Sequence, residues 1–112
     1  MKLVETNITI AELNVLAGEY FGDFVKAVVD VECEIAVFGG ELHSDEEEML
    51  LNNGSVQFNL WGINVYPELP REKWVEFDSM INIRPGQNNR TRGVEDPEIR
   101  KRVIEIVDKL VI

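Results

Sequence analysis

The chain has 112 residues, of which 45% are hydrophobic and 29% are charged, and its formal net charge is −10. This length and composition predict a single globular domain over residues 1–112, with enough apolar residues for its own core. The negative charge disfavours nucleic acid and membrane surfaces as partners, because their phosphates repel it. The apolar runs are too short to span a bilayer, and MKLVETNITI lacks the continuous apolar stretch of a secretory signal.

Cysteine content and loop motifs narrow the function classes further. Cys33 is the single cysteine, which excludes an internal disulfide and predicts a reducing, cytosolic compartment. It has no CxxC partner, so a buried structural thiol is favoured over a nucleophile. No Walker-type or GxGxxG loop occurs, and no cofactor is predicted.

Two helices are predicted in the first third of the chain. Thr9-Ile10-Ala11-Glu12 matches a capping box, and the apolar residues that follow share one helical face up to a stop at Gly22. Phe24–Phe38 shows two patterns, because its apolar residues repeat at helical spacing while Val29 to Val37 alternate as in a strand. Fifteen residues without a turn signal, between a cap at Asp23 and Gly39-Gly40, favour a helix.

The middle of the chain predicts antiparallel strands. Asn53-Gly54 is typical of a hairpin turn, which would join Glu47–Asn52 to a strand in which Val56, Phe58 and Leu60 face inward. The apolar phase changes at Trp61-Gly62, which predicts a β-bulge. A third strand is predicted up to Arg84.

The final helix is the best marked element, with a cap at Asp96, a proline at its first position and an acidic residue in its first turn. The order α-α-β-β-β-α, with a short strand at Lys2–Glu5 as an option, predicts an α+β fold. Its antiparallel sheet would have three to four strands, with about three helices packed on one face. The predicted core comprises Leu16, Val28, Ile35, Phe58, Ile63, Phe77, Ile81, Val103, Ile106 and Leu110.

Several segments together resemble a known family. These segments are VKAVVDVE, GGELHSD, LWGINVYP, INIRPGQNNR and EDPEIR. They resemble a family of short prokaryotic proteins known only as a domain of unknown function, and the resemblance extends from Gly22 onward. It implies a stand-alone cytosolic protein and no particular activity.

A first candidate site is formed by Glu41, His43 and Asp45. If this segment is extended, the three side chains point to one face, because strand side chains alternate. An imidazole between two carboxylates could bind zinc, manganese or iron, or could orient a water for hydrolysis. The alternative is a lone histidine beside a solvated acidic run, Asp45–Glu48.

A second candidate site is the loop after the third predicted strand, where the charge balance reverses. Residues 1–83 hold sixteen acidic against four basic residues, whereas residues 84–112 hold five against seven. Guanidinium groups and amides are suited to carboxylate or phosphate oxygens. The predicted ligands of a small anion are Arg84, Gln87, Asn89, Arg90 and Arg92, with Asn82 beside them.

The alternative for this loop is internal ion pairing, which predicts at least one of the three arginines within about 4 Å of a carboxylate.

Three functions of the protein stay open. The first is a binding protein that acts through a protein partner or self-association. The second is a small-anion binder that uses the arginine loop, and the third is a metal-dependent hydrolase.

Overall fold

The computed structural model describes residues 1–112 and contains a five-stranded antiparallel sheet with three α-helices. The strands are β1 (Lys2–Val4), β2 (Val25–Asp30), β3 (Ile35–Phe38), β4 (Leu60–Val65) and β5 (Val75–Glu76), in the spatial order β1-β3-β2-β4-β5. The helices are α1 (Ile10–Tyr20), α2 (His43–Asn52) and α3 (Pro97–Leu110). The α+β class is confirmed, and the sheet has one strand more than the upper end of the predicted range.

Helices cover both faces of the sheet, so the expectation of three helices on one face is wrong. Side chains alternate along a strand, and Ala27 and Val29 pack with α1 and α3 in a core of 19 buried residues. Val28, on the opposite face, packs with Leu50 of α2 in a smaller cluster. The second layer arises because α2 connects β3 to β4 across that face.

The predicted helix over Phe24–Phe38 is instead the β2–β3 hairpin. Asp30 lies at the end of β2, and its Oδ1 accepts hydrogen bonds from the backbone N–H groups of Glu32 and Cys33, each at 2.9 Å. Glu34 then takes a φ of +58°, a left-handed conformation that reverses the chain. The turn carries neither glycine nor proline, which is why the sequence concealed it. Cys33 is exposed in this turn, so the prediction of a buried thiol is also wrong.

The predicted strand Glu47–Asn52 is part of α2, and Asn53-Gly54 ends this helix instead of turning a hairpin. The Ser55 N–H donates to the Leu50 carbonyl at 3.0 Å and the Gly54 N–H to the Leu51 carbonyl at 3.1 Å. Gly54 has a φ of +97°, as this type of helix ending requires. Hairpin turns and helix ends both use left-handed glycine, so the dipeptide alone did not distinguish them.

Strand β4 begins at Leu60 and pairs with β2 in unbroken register through Gly62, so the predicted bulge is wrong. The preceding segment is not a strand, and Phe58 projects outward with 65% of its surface exposed. Gly62 serves a different purpose, since a Cβ at this position would lie 2.6 Å from the Cβ of Ser79. The glycine lets the chain segment around Ser79 cross directly over β4.

The third predicted strand is reduced to β5, and the chain beyond it is irregular with a 3₁₀ turn at Met80–Asn82. The Asn82 side chain takes the place of a strand. Its Oδ1 accepts from the Gly62 N–H at 2.8 Å, and its Nδ2 donates to the Gly62 carbonyl at 2.9 Å. One amide side chain thus satisfies both backbone groups of β4 where no further strand pairs with it.

The first and last helices are confirmed in detail. The Thr9–Glu12 capping box is complete, and Asp96 caps α3 by accepting the Glu98 N–H. Among the predicted core residues, one group is fully buried: Val28, Ile63, Val103, Ile106 and Leu110. A second group is half-buried: Leu16, Ile35, Phe77 and Ile81. Phe58 is the clear error.

Candidate functional site

The structure does not bring Glu41, His43 and Asp45 together. His43 is the first residue of α2 and is buried, whereas Glu41 and Asp45 are exposed and border a separate acidic hollow. The expected common face is wrong because the segment turns helical at His43, where side chains repeat every 3.6 residues instead of every two. No group of three or more His, Cys, Asp or Glu side chains is placed to hold a metal ion.

Arg84 of the arginine loop is committed to the fold. Its guanidinium carbon lies 4.1 Å from the ring centroid of Trp61, and its terminal nitrogens donate to the backbone carbonyls of Gln57 and Leu60. Burial lowers the pKa of Arg84 from its ordinary value. This side chain fastens the start of β4 to the loop, so it is not free to bind an anion.

The amide side chains of the loop also hold backbone groups. Asn89 is buried, and it donates to the Asn82 and Gly93 carbonyls while its Oδ1 accepts from the Glu95 N–H at 2.8 Å. Gln87 donates to the Phe58 carbonyl at 3.0 Å. Together with Asn82, these residues shape the irregular chain that replaces the predicted strand.

Arg90 and Arg92 differ from Arg84 in being exposed. Arg92 Nε lies 2.6 Å from Asp78 Oδ1, which confirms the expectation that one arginine of the loop forms an ion pair. Convergence of the others on one cleft is not observed. Gln87 and Asn89 border a groove beside Phe58, whereas Arg92 lines a different cleft on the α2 face of the sheet.

That second cleft, here called the His43 cleft, brings together ionisable and amide side chains from five separate parts of the chain. It has a volume of about 360 Å³ and lies between the start of α2, strands β2 and β4, and the chain at 78–81. This volume falls within the roughly 300–1,000 Å³ of small-molecule pockets. The polar residues that line it are Lys26, His43, Ser44, Asn64, Asp78, Ser79 and Arg92.

His43 presents a neutral imidazole to this cleft. Its Nε2 lies 2.7 Å from the Ile63 carbonyl oxygen, and because a carbonyl only accepts, Nε2 carries the proton. Nδ1 is then the basic nitrogen, and it makes no hydrogen bond within the protein. Burial lowers the pKa of His43 below its ordinary value, which keeps the ring neutral at pH 7.

Asn64 contributes an acceptor that has no partner. Its Nδ2 donates to Glu76 Oε1 at 2.8 Å, which orients the amide, while its buried Oδ1 receives no hydrogen bond. Asn64 stands directly opposite Lys26 in the β2–β4 register. A buried acceptor without a donor is costly, and in native proteins such an atom calls for an explanation.

One side of the cleft is aromatic. Phe21 and Phe24 stack with ring centroids 4.6 Å apart, and Lys26 Nζ lies 5.1 Å from the Phe21 centroid. Leu42, Met80 and Ile81 add further apolar surface to the lining. The cleft therefore combines an apolar wall with donors and acceptors of both charge signs.

Sequence reasoning missed Lys26, Asn64 and Asp78 as site residues. A signal was present in the first two, because Asn64 is the only polar residue of the strand LWGINV, and Lys26 interrupts the apolar part of VKAVVD ahead of Asp30. A lone polar residue in a strand buried along its length points to a specific contact. Asp78 had no such signal, because it lies on irregular chain that only the tertiary fold places.

Glu46, one turn after His43 on α2, is a buried acid outside the cleft. It is 0% exposed, its Oε2 accepts the Gly40 N–H at 3.0 Å, and its Oε1 has no partner. Burial raises the pKa of Glu46 to about 8. The carboxyl is consequently protonated and uncharged in the folded protein at neutral pH.

The fold and cleft define a small α+β domain whose sheet is covered on both faces and whose clustered polar side chains line a cleft under a helix N-terminus. The chain belongs to the family described as Protein of unknown function (DUF5674), whose model matches residues 2–110. The resemblance to a family of unknown function is confirmed, and the match extends beyond Gly22 to the N-terminal strand. No curated protein and no solved structure significantly matches the chain. None of the α-helices has both the length and the apolar character needed to cross a membrane.

Proposed function

We propose that this protein works by binding a small molecule in the His43 cleft. The observation that carries the proposal is Asn64 Oδ1, a buried acceptor without a partner on a residue that lines the same cleft as His43. By contrast, both polar atoms of the Asn82 and Asn89 side-chain amides are hydrogen-bonded within the fold. Unsatisfied acceptors at a concave surface are supplied with donors most directly by a ligand.

The proposal replaces the two sites suggested by the sequence. The metal-dependent hydrolase has no convergent ligand set in support, and the anion site on the 84–92 loop retains only Arg92, which lines the His43 cleft. Association with a protein partner or a second copy stays a prediction. We also infer a reducing compartment, which the lone, exposed thiol of Cys33 supports.

A fragment screen followed by ¹H–¹⁵N spectra of the labelled protein tests the proposal. We expect fragments to shift backbone amide signals around Lys26, His43, Asn64 and Met80. Ser44 is exposed at the rim and forms no side-chain hydrogen bond, so Ser44→Trp can obstruct the cleft without disturbing the core. The matched variant Ser44→Ala leaves the cleft open.

Binding should be lost in Ser44→Trp and retained in Ser44→Ala. The proposal is wrong if fragments bind both variants equally. It is also wrong if the shifts cluster around Phe58 and Gln87, on the other groove.

A further inference from the structure

We propose that the ligand of the His43 cleft is a small carboxylate that carries a hydroxyl or amino group and an apolar body. This inference rests on the proposed function, since it names the class of molecule that the same cleft binds. An unpaired cation, a neighbouring acceptor and an aromatic wall support it.

The cation is Lys26, whose ammonium group forms no ion pair although the chain has 21 acidic and only 11 basic residues. The other two lysines in the first 83 residues are Lys2, which pairs with Glu12, and the exposed Lys73. Lys26 is half-buried at the cleft, with its Nζ against the face of the Phe21 ring. A partly buried ammonium group that forms no ion pair within the chain can bind the carboxylate of a ligand in a charge-assisted hydrogen bond.

The acceptor is Asn64 Oδ1, on the strand residue directly opposite Lys26. The Cβ atoms of such facing residues lie about 4.5–5.5 Å apart. A 2-hydroxy or 2-amino acid places its anion and its hydrogen-bond donor on adjacent carbons, so it can meet both side chains at once. His43, which lines the same cleft, adds a further acceptor in Nδ1.

The wall formed by Phe21 and Phe24 selects for an apolar body on the ligand. The two stacked rings line the cleft beside Lys26, and Met80, with 65% of its surface exposed, adds apolar surface to the same cleft. An aromatic or branched aliphatic group packed there would remove apolar surface from water on both molecules.

A phosphate ester fits these observations less well. Asp78 lines the cleft, and Glu76 holds the Asn64 amide, so two carboxylates lie close to the ligand position. A dianion would be repelled by both, whereas a monoanionic carboxylate is repelled about half as strongly. Arg92 is the only other cation at the cleft, and Asp78 already occupies its Nε.

Isothermal titration at pH 7 and low salt tests the ligand class with four probes: phenyllactate, phenylalanine, 3-phenylpropionate and 2-phenylethanol. We expect phenyllactate or phenylalanine to bind. Binding should weaken at least about tenfold in 3-phenylpropionate, which lacks the donor, and in 2-phenylethanol, which lacks the carboxylate.

Lys26→Met removes the cation while retaining most of the side-chain length, and Lys73→Met removes an exposed lysine outside the cleft. We expect Lys26→Met to weaken phenyllactate binding at least about tenfold and Lys73→Met to change it less than about twofold. Melting temperatures of both variants, measured beforehand, establish that each is folded.

The inference and the proposed function fail in different ways. If 2-phenylethanol or other uncharged fragments bind the cleft as tightly as the acids do, the ligand class is wrong and the cleft remains a binding site. Equal effects of the two lysine variants would likewise contradict the ligand class, because they would reflect general charge. If no compound of any class shifts the amide signals of the cleft, both proposals are wrong.

Discussion

At the scale of single residues, the fold uses long polar side chains in place of missing backbone partners. Asn82 satisfies both backbone groups of Gly62, Asn89 bonds four backbone groups around its own loop, and Arg84 donates to two carbonyls at the start of β4 and just before it. Amides and guanidinium groups can do this because they present several donors in a fixed plane. A cluster of such residues in a sequence therefore indicates irregular structure as readily as it indicates a ligand.

The ionisation of the buried Glu46 carboxyl should make the stability of the protein depend on pH. Its pKa of about 8 in the fold exceeds the ordinary value of 4.5, so between these pH values the folded state holds a proton that the unfolded state has released. The free energy of unfolding must then fall as the pH rises through this window. Above pH 8 the loss is complete, at about 1.4 kcal/mol for each pKa unit, or several kcal/mol in total.

We expect Glu46→Gln to stabilise the protein at pH 8 and to flatten the decline in stability between pH 5 and pH 8. Glutamine keeps an oxygen for the Gly40 N–H and never ionises. Urea denaturation at several pH values measures the effect, and the exposed Glu48→Gln on the same helix is the control. If the free energy of unfolding had the same pH dependence in both variants, the pKa of Glu46 would not be raised in the folded protein.

At the scale of elements, the β2–β3 hairpin depends on one side chain at its turn. Asp30 is fully buried, and it binds two turn N–H groups through Oδ1 and the Ser55 hydroxyl through Oδ2 at 2.7 Å. It therefore links the turn to the chain that follows α2. Hydrogen bonds to a charged acceptor are worth about 1.5–3 kcal/mol each in net stability.

Asp30→Ala should lower the free energy of unfolding by about 2–4 kcal/mol, because three donors lose a charged acceptor. Thermal or urea denaturation measures the loss, and Asp23→Ala, at an exposed position just before β2, is the matched control.

Asp30→Ala should also make Cys33 react faster with a disulfide reagent at pH 8. A hydrogen bond and charge from Asp30 raise the pKa of the Cys33 thiol, so removing them increases the thiolate fraction. A reaction rate unchanged by Asp30→Ala would contradict this reading of the turn.

At the scale of the whole molecule, charge is spread unevenly and little of it is neutralised by pairing. The five ion pairs are all solvent-exposed, and such pairs contribute little to stability. A net charge of −10 on 112 residues leaves mutual repulsion as the larger electrostatic effect in the folded state.

We expect the melting temperature to rise as sodium chloride is increased from 0.01 to 0.3 M. Most of the rise should occur at the low end, where the Debye length shortens from about 30 Å to about 10 Å. Scanning calorimetry measures the change, and potassium chloride should reproduce it because screening depends on ionic strength. A melting temperature that falls with salt would show that the exposed ion pairs dominate instead.

The sequence alone determined those elements whose signals are local. The N-terminal ends of α1 and α3 follow from their capping residues, whose hydrogen-bond partners lie within three positions in the sequence. The face of α3 that packs on the sheet follows from its apolar stripe. These signals suffice because a helix satisfies its own hydrogen bonds, so that its boundaries depend mainly on nearby residues.

Only the tertiary structure decided the rest. Phe24–Phe38 and Glu47–Asn52 each had residues compatible with helix and strand, and the choice depended on partners far along the chain: β4 for the first segment and the sheet face under α2 for the second. The His43 cleft was hidden for the same reason. Its polar side chains come from residues 26, 43, 44, 64, 78, 79 and 92, and no spacing in the sequence brings them together. They meet because an antiparallel sheet sets distant residues side by side, while a helix laid across it closes the space above them.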